Sequence, residues 1–213
     1  MIVSRLLLAG LVLAASPVFA APGAEAPGRL TARLYDYANT NRSQVEAAQQ
    51  HVAETYRHIG VTVQWLGTAR PEAIRTGEEA WPSDVGETSM LSVALITNAM
   101  ADRIELPSNV AGYAATDDAR RGRMAFVVVA RTQRLAFRGE LFHSRVLGAV
   151  MAHEIAHLLL PRGAHARTGL MRPSWSAMDF AFPGRQVFSP RDAAAVRQSV
   201  ERLTQAAGSR VAD

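Results

Sequence analysis

Cysteine is absent from this 213-residue chain, and so is lysine. Without cysteine no disulfide staples the fold, and no thiolate can ligate a metal or mask one in a latent form. Any metal site must therefore draw on His, Asp or Glu. Without lysine, all 23 basic side chains are arginine. They are scattered along the chain and are not interleaved with aromatics. The sequence pI of about 10.3 thus reflects a small formal excess of +4, not a clustered stripe for nucleic acid, and no nucleic-acid partner is expected. Internal repeats are missing too, which excludes a solenoid or propeller. The length suits one domain with a real core and is too short for two comfortable ones.

The N-terminal segment reads as a secretory signal. Arg5 supplies the positive start, Leu6 to Ala15 the apolar stretch, and Val18-Phe19-Ala20 a small-residue cleavage site. The apolar stretch is too short to span a bilayer, so cleavage after Ala20 is expected and no stable membrane anchor remains. Loss of Arg5 leaves a net charge of +3. The expected location is the periplasm or the exterior of the cell. Residues 21–29 (APGAEAPGR) are small and Pro/Gly-rich and read as a disordered leader; residues 30–213 read as the single domain.

Hydrophobic periodicity orders the elements. Leu30 to Ala38 alternates as a first strand. Asn39-Thr40-Asn41 opens an amphipathic helix from about Ser43 to His58, and Gly60 stops it. Val61 to Leu66 is a second strand and Leu91 to Thr97 a third. The stretch Gly67 to Met90 reads as loop. Asn109 to Thr116 is a short strand and Met124 to Ala130 a strongly apolar one. Leu141 to Leu160 is apolar on nearly every side and reads as a buried helix, stopped by Pro161 and Gly163. Ser189 as N-cap, Pro190 at N1 and Asp192 at N3 launch a last helix to about Leu203. This order makes an α+β fold, a sheet with helices packed on it.

The buried helix carries His153-Glu154-Ile155-Ala156-His157, an HExxH string. Residues four apart share one helix face, so the two imidazoles can converge on one metal ion, while Glu154 is offset around the helix and need not ligate. That is the arrangement of a catalytic Zn²⁺ site with two histidine ligands and a glutamate acting on water as general base and then general acid. Two histidines and a glutamate in an apolar helix are costly unless partnered. Half of the six histidines fall between positions 153 and 165. The Pro161 and Gly163 break returns the chain with His165 as third ligand; Asp179 is the runner-up and Glu140 a distant alternative. His51, His58 and His143 read as surface or locally hydrogen-bonded residues. Trp175, Phe180 and Phe182 either line a pocket or form a small core under the last helix, with core preferred. Arg172 reads as a surface arginine ahead of a binder of a substrate carboxylate or of the oxyanion.

The segment HEIAHLLLPRGAHARTGLMRP, His153 to Pro173, resembles the metzincins, zinc peptidases with an extended histidine motif and a methionine turn. Leu170-Met171-Arg172-Pro173 is similar to that turn, and the resemblance implies that Met171 forms an apolar floor under the ligands. The family pattern HExxHxxGxxH has glycine where this chain has Leu160, and its third histidine stands two positions before His165. The resemblance implies a metzincin-like fold: a mixed sheet of roughly five strands, a backing helix, a buried active-site helix and a small irregular C-terminal part ending in a helix. It also implies that Asn109 to Thr116 is the edge strand on which an extended peptide or protein substrate pairs. An outlying, bacterial-type member is expected, an exported zinc endopeptidase active without further processing. The competing readings are a zinc-binding module without turnover and a hydrolase of a non-protein amide such as a cell-wall peptide.

Overall fold

In the computed structural model the described residues are 28–69, 90–115, 124–136, 139–161, 163–181 and 184–211. Five strands form one sheet in the order β2-β1-β3-β5-β4. They are β1 (Gly28–Asp36), β2 (Val61–Ala69), β3 (Met90–Ile96), β4 (Gly112–Ala115) and β5 (Met124–Val128). The helices are α1 (Arg42–Arg57), α2 (Asn98–Arg103), α3 (Val129–Leu135), α4 (Gly139–Leu159), α5 (Ala177–Ala181) and α6 (Pro190–Val211). Pairings β1–β2, β1–β3 and β3–β5 are parallel, and β4 alone runs antiparallel, against β5. The α+β class and the mixed five-stranded sheet are as expected from the sequence.

The sheet is covered on both faces. Leu91, Val93 and Leu95 of β3 point into the main core with α1, α4 and α6, while Ala94 and Ile96 point into a smaller one with Tyr35, Met100 and Val128. A strand buried on both sides reads as a near-continuous apolar run, and β3 is apolar at every position except Ser92. Helix α1 is capped by Asn41, whose side chain accepts from the Ser43 N–H at 2.9 Å. Gly60, at φ +77°, turns the chain into β2. Helix α4 lies against α1, where Gly148 lets the backbones approach: a Cβ there would meet the Ala48 carbonyl oxygen at 2.7 Å. The Tyr56 hydroxyl donates to the Ala152 carbonyl at 3.0 Å, fastening α1 to the residue before His153. Helix α6 closes the other end, with Ser199 Oγ donating to the Leu159 carbonyl at 2.6 Å. No helix among the described residues is long and apolar enough to cross a membrane.

Several boundaries differ from the sequence reading, each for a packing reason. Gly28 and Arg29, assigned to the leader, are the first residues of β1 and pair with Val61 and Thr62. Met124 to Val128 is strand, but Val129 starts a helix, because the ladder with β3 ends at Ile96–Val128 and leaves Val129 no partner among the described strands. Thr97 caps α2 at the same end of the sheet, its hydroxyl accepting from the Met100 N–H at 3.3 Å. Strand β2 runs on to Ala69, past a register shift where Gly67 sits at φ +104°. Helix α6 continues to Val211 rather than Leu203. The signal, most of the leader and most of the 67–90 loop lie outside the described residues.

Candidate metal centre and its cavity

Two of the three histidines are positioned by α4 and the third by the chain that follows it. Past Leu159 the helix cannot continue, since Pro161 has no N–H to donate and disfavours helix at Leu160. Gly163, at φ +71°, reverses the chain, and the His165 N–H donates to the Gly163 carbonyl at 2.8 Å. The Ala166 N–H then donates to the Met171 carbonyl at 2.7 Å and closes the loop. One ring nitrogen from each of His153, His157 and His165 comes within 4.8 Å of the others, a group that can hold a metal ion.

The donor set fits a small tetrahedral ion. His153 Nδ1–H donates to the Leu170 carbonyl at 2.7 Å, which leaves Nε2 as the lone-pair nitrogen. The Nε2 atoms of His153 and His157 face each other at 3.0 Å. Two nitrogens on a tetrahedral zinc stand about 3.3 Å apart, given Zn–N distances of about 2.0–2.1 Å. Burial pushes the pKa of His153 down to about 4 and that of His157 likewise to about 4. Both imidazoles are therefore neutral at pH 7, the form that binds a metal. Burial pushes the Glu154 carboxyl up to about 8.

A cavity of about 470 Å³ opens over these groups. His153, Glu154 and His157 contribute from α4, residues 109–114 from β4 and its approach, and Arg172 to Trp175 from the chain after the loop. Strand β4 is the last strand of the sheet, paired on one side to β5. Its Tyr113 is about half exposed and stacks on Phe126, ring centroids 6.5 Å apart.

Two residues that sequence reasoning did not single out set this geometry. Gly112 lies against Glu154: a Cβ on Gly112 would sit 2.5 Å from Oε1 and 2.6 Å from Cγ. Arg131, buried in α3, donates to the Pro107 and Val110 carbonyls at 2.7 and 2.8 Å and so clamps the segment leading into β4. Neither leaves a local signal, although a glycine inside a short strand is a general sign of close backbone approach.

The other candidates stand elsewhere. Asp179 does not join the histidines, because both its oxygens are engaged: Oδ1 accepts from Arg172 at 2.6 Å and Oδ2 from the Ser176 N–H and hydroxyl at 2.8 and 2.9 Å. Arg172 is thus not a plain surface arginine, since it is tied to a buried carboxylate. The side chain of Glu140 and all of Phe182 lie outside the described residues. Phe180 is fully buried, as expected for core. Trp175 does both jobs proposed for it, packing on Phe180 and His153 at 5.3 and 5.1 Å while lining the cavity. His143 is buried and bridges Thr132 and Gln44. His58 Nδ1 donates to the Glu54 carbonyl at 2.6 Å.

No known family profile matches the chain, and no curated protein does. Among solved structures it is similar to a zinc-dependent peptidase from Methanocorpusculum labreanum, with TM-score 0.51 and 11% identity over 78% of this chain and 99% of that one. It is similar to metalloproteinase-II from Bacteroides fragilis, with TM-score 0.51 and 15% identity over 83% of this chain, spanning 54% of that longer one. An archaemetzincin from Methanopyrus kandleri matches at TM-score 0.48 and 20% identity, over 82% of this chain and 97% of that one. At such identities what the first two share with this chain is the fold.

Proposed function

We propose that the chain is an exported zinc-dependent peptidase, acting as an endopeptidase on peptide or protein substrates. The observation that carries this reading is one cavity holding three convergent histidine nitrogens, a carboxylate that is not among them, and the side of a strand that no other described strand pairs with. The two solved structures with the same fold are described as a zinc-dependent peptidase and a metalloproteinase, which supports it. His153, His157 and His165 would hold zinc, which supplies a Lewis acid that lowers the pKa of water and stabilises an oxyanion. The positive charge of zinc beside it would favour the ionised form of Glu154, which takes a proton from the attacking water and returns it to the departing amine. Gly112 lets that carboxylate sit against β4, and the outer side of β4 offers main-chain groups to an extended peptide. Met171 is buried in the main core, and by the resemblance to the metzincin turn it would form the apolar floor beneath the ligands.

A zinc site used only for structure has no need of a carboxylate on an open cavity, since such sites close their fourth position. Export rests on the reading of residues 1–20 as a signal, and N-terminal sequencing of the secreted protein starting at Ala21 is the expected result. The central test measures zinc content and peptide hydrolysis together. Wild type is expected to carry one zinc and to cleave peptides. Glu154→Gln is expected to keep zinc and lose activity by about 10³-fold, and His165→Ala to lose zinc. Full hydrolysis by Glu154→Gln overturns the mechanism, and full zinc retention by His165→Ala removes the third ligand.

A further inference from the structure

Arg172 stands between two cavities: it is the one permanently positive side chain among the described residues lining the metal cavity, and it also lines a neighbouring cavity with Asp179 and Arg185. The chain brackets it closely against the metal centre. Two residues before it, Leu170 accepts from His153 Nδ1 at 2.7 Å; three residues after it, Trp175 packs edge-on against the His153 ring at 5.1 Å. Its guanidinium is held in place, Nη1 donating to Asp179 Oδ1 at 2.6 Å. Asp179 is itself immobilised by Ser176, so the anchor does not swing away. This contact uses one of five guanidinium donors, and the Arg172 side chain stays 35% exposed. Arg185 also reaches Asp179, at 3.4 Å. Glu154 is the sole carboxylate among the described lining residues.

We infer that Arg172 is a specificity-determining residue that binds a carboxylate carried by the substrate close to the scissile bond. The inference rests on the peptidase reading above. A guanidinium offers forked donors matched to a carboxylate, and one already oriented by Asp179 loses little freedom when it binds. In a cavity partly closed to solvent such a charge-assisted pair is worth more than on an open surface. The carboxylate is either the side chain of an Asp or Glu flanking the cleaved bond or the free C-terminus of a short peptide. The chemistry of recognition is the same for both.

Three peptides of one length test this: a neutral peptide with an amidated C-terminus, the same peptide with one internal Glu, and the neutral peptide with a free C-terminus. Their binding to metal-free protein is measured by calorimetry, and their turnover by the zinc-loaded enzyme. At least one carboxylate peptide is expected to bind about tenfold more tightly than the neutral amide, and which one identifies the source. That ratio falls to about one in Arg172→Gln, largely survives in Arg172→Lys, and is kept in Arg185→Gln, whose side chain contacts Asp179 outside the cavity wall. In wild type the ratio shrinks as salt is raised, which needs no variant to fold. Equal binding of all three peptides to wild type overturns the inference, as does equal loss in the Arg172→Gln and Arg185→Gln variants. Turnover of no peptide at all, with the binding preference intact, defeats the peptidase reading and leaves the carboxylate site standing.

Discussion

Replacing Gly112 by alanine separates catalysis from stability at the proposed site. The backbone of Gly112 is not in the left-handed region, so alanine adopts it without strain. The nearest atoms the added Cβ meets all belong to Glu154, 2.5 Å from Oε1, 2.6 Å from Cγ and 2.8 Å from Cδ, where ordinary contact starts near 3.4 Å. The carboxylate must therefore retreat by about 1 Å, and a displacement of that size costs about a hundredfold in rate. That factor is about 2.7 kcal/mol of barrier. Overpacking destabilises by about 1–3 kcal/mol in a tight core, and the lower end applies to a half-buried edge strand. Loss of glycine's freedom in the unfolded chain offsets about 0.4–1 kcal/mol of it. The expected outcome is a variant with one zinc, a thermal midpoint within a few degrees of wild type, and kcat/KM down about a hundredfold. Adding Glu154→Asp, which shortens the side chain by one methylene, makes room for the new methyl. The double variant should thus lose much less than the two single losses combined. Wild-type kcat/KM in Gly112→Ala, or strict additivity in the double variant, refutes the fit between β4 and the carboxylate.

Three further outcomes follow from contacts away from the reacting groups. Arg131→Met strips donors from the Pro107 and Val110 carbonyls and should destabilise by about 2–4 kcal/mol in urea unfolding; a change below about 1 kcal/mol would show the clamp to be dispensable. Ser189→Ala removes the hydroxyl that accepts from the Asp192 N–H at 3.1 Å, with an expected loss of about 1 kcal/mol, read from the same unfolding curves. Asp179 is held below the ordinary carboxylate range, first by the Ser176 backbone N–H and then by its hydroxyl and Arg172. Because the folded pKa is the depressed one, its stabilisation is present above the unfolded value of about 3.9 and fades as pH falls through the folded value. Asp179→Asn should therefore narrow its stability gap to wild type below about pH 4, and a gap independent of pH from 7 to 2 would contradict that assignment.

The sequence was most legible where one local pattern decides the outcome. His153 and His157 at four-residue spacing share a face of α4, and the pattern Ser189-Pro190-Arg191-Asp192 opens α6 as drawn, with Ser189 Oγ 2.7 Å from Asp192 Oδ2. The mostly apolar run Leu91 to Thr97 reads as a strand, and the structure has one at Met90–Ile96. It was less legible where a neighbour decides. Val129 has the β-branched chemistry of a strand and enters a helix because β3 ends beside it. The fit of Gly112 to Glu154 joins residues 42 positions apart through two elements, and Arg131 reaches back 21 to 25 positions to its carbonyls. Asp179 offered a carboxylate at a plausible distance along the chain, and only its local turn with Ser176 shows that the oxygens are already taken.

The clasp between the Ala166 N–H and the Met171 carbonyl changes what the spacing between the histidines means. His165 is delivered by a closed return that begins after Pro161, and α4 does not dictate how many residues lie between. Closing a longer loop costs entropy that grows only with the logarithm of its length, about 0.6 kcal/mol for each doubling. Two added residues ahead of the clasp therefore cost a few tenths of a kcal/mol by that scaling, while the hydrogen bond from His153 to Leu170 keeps the far end in register. The third ligand's place in space is thus insulated from its place in sequence, and loops of several lengths can present the same three nitrogens.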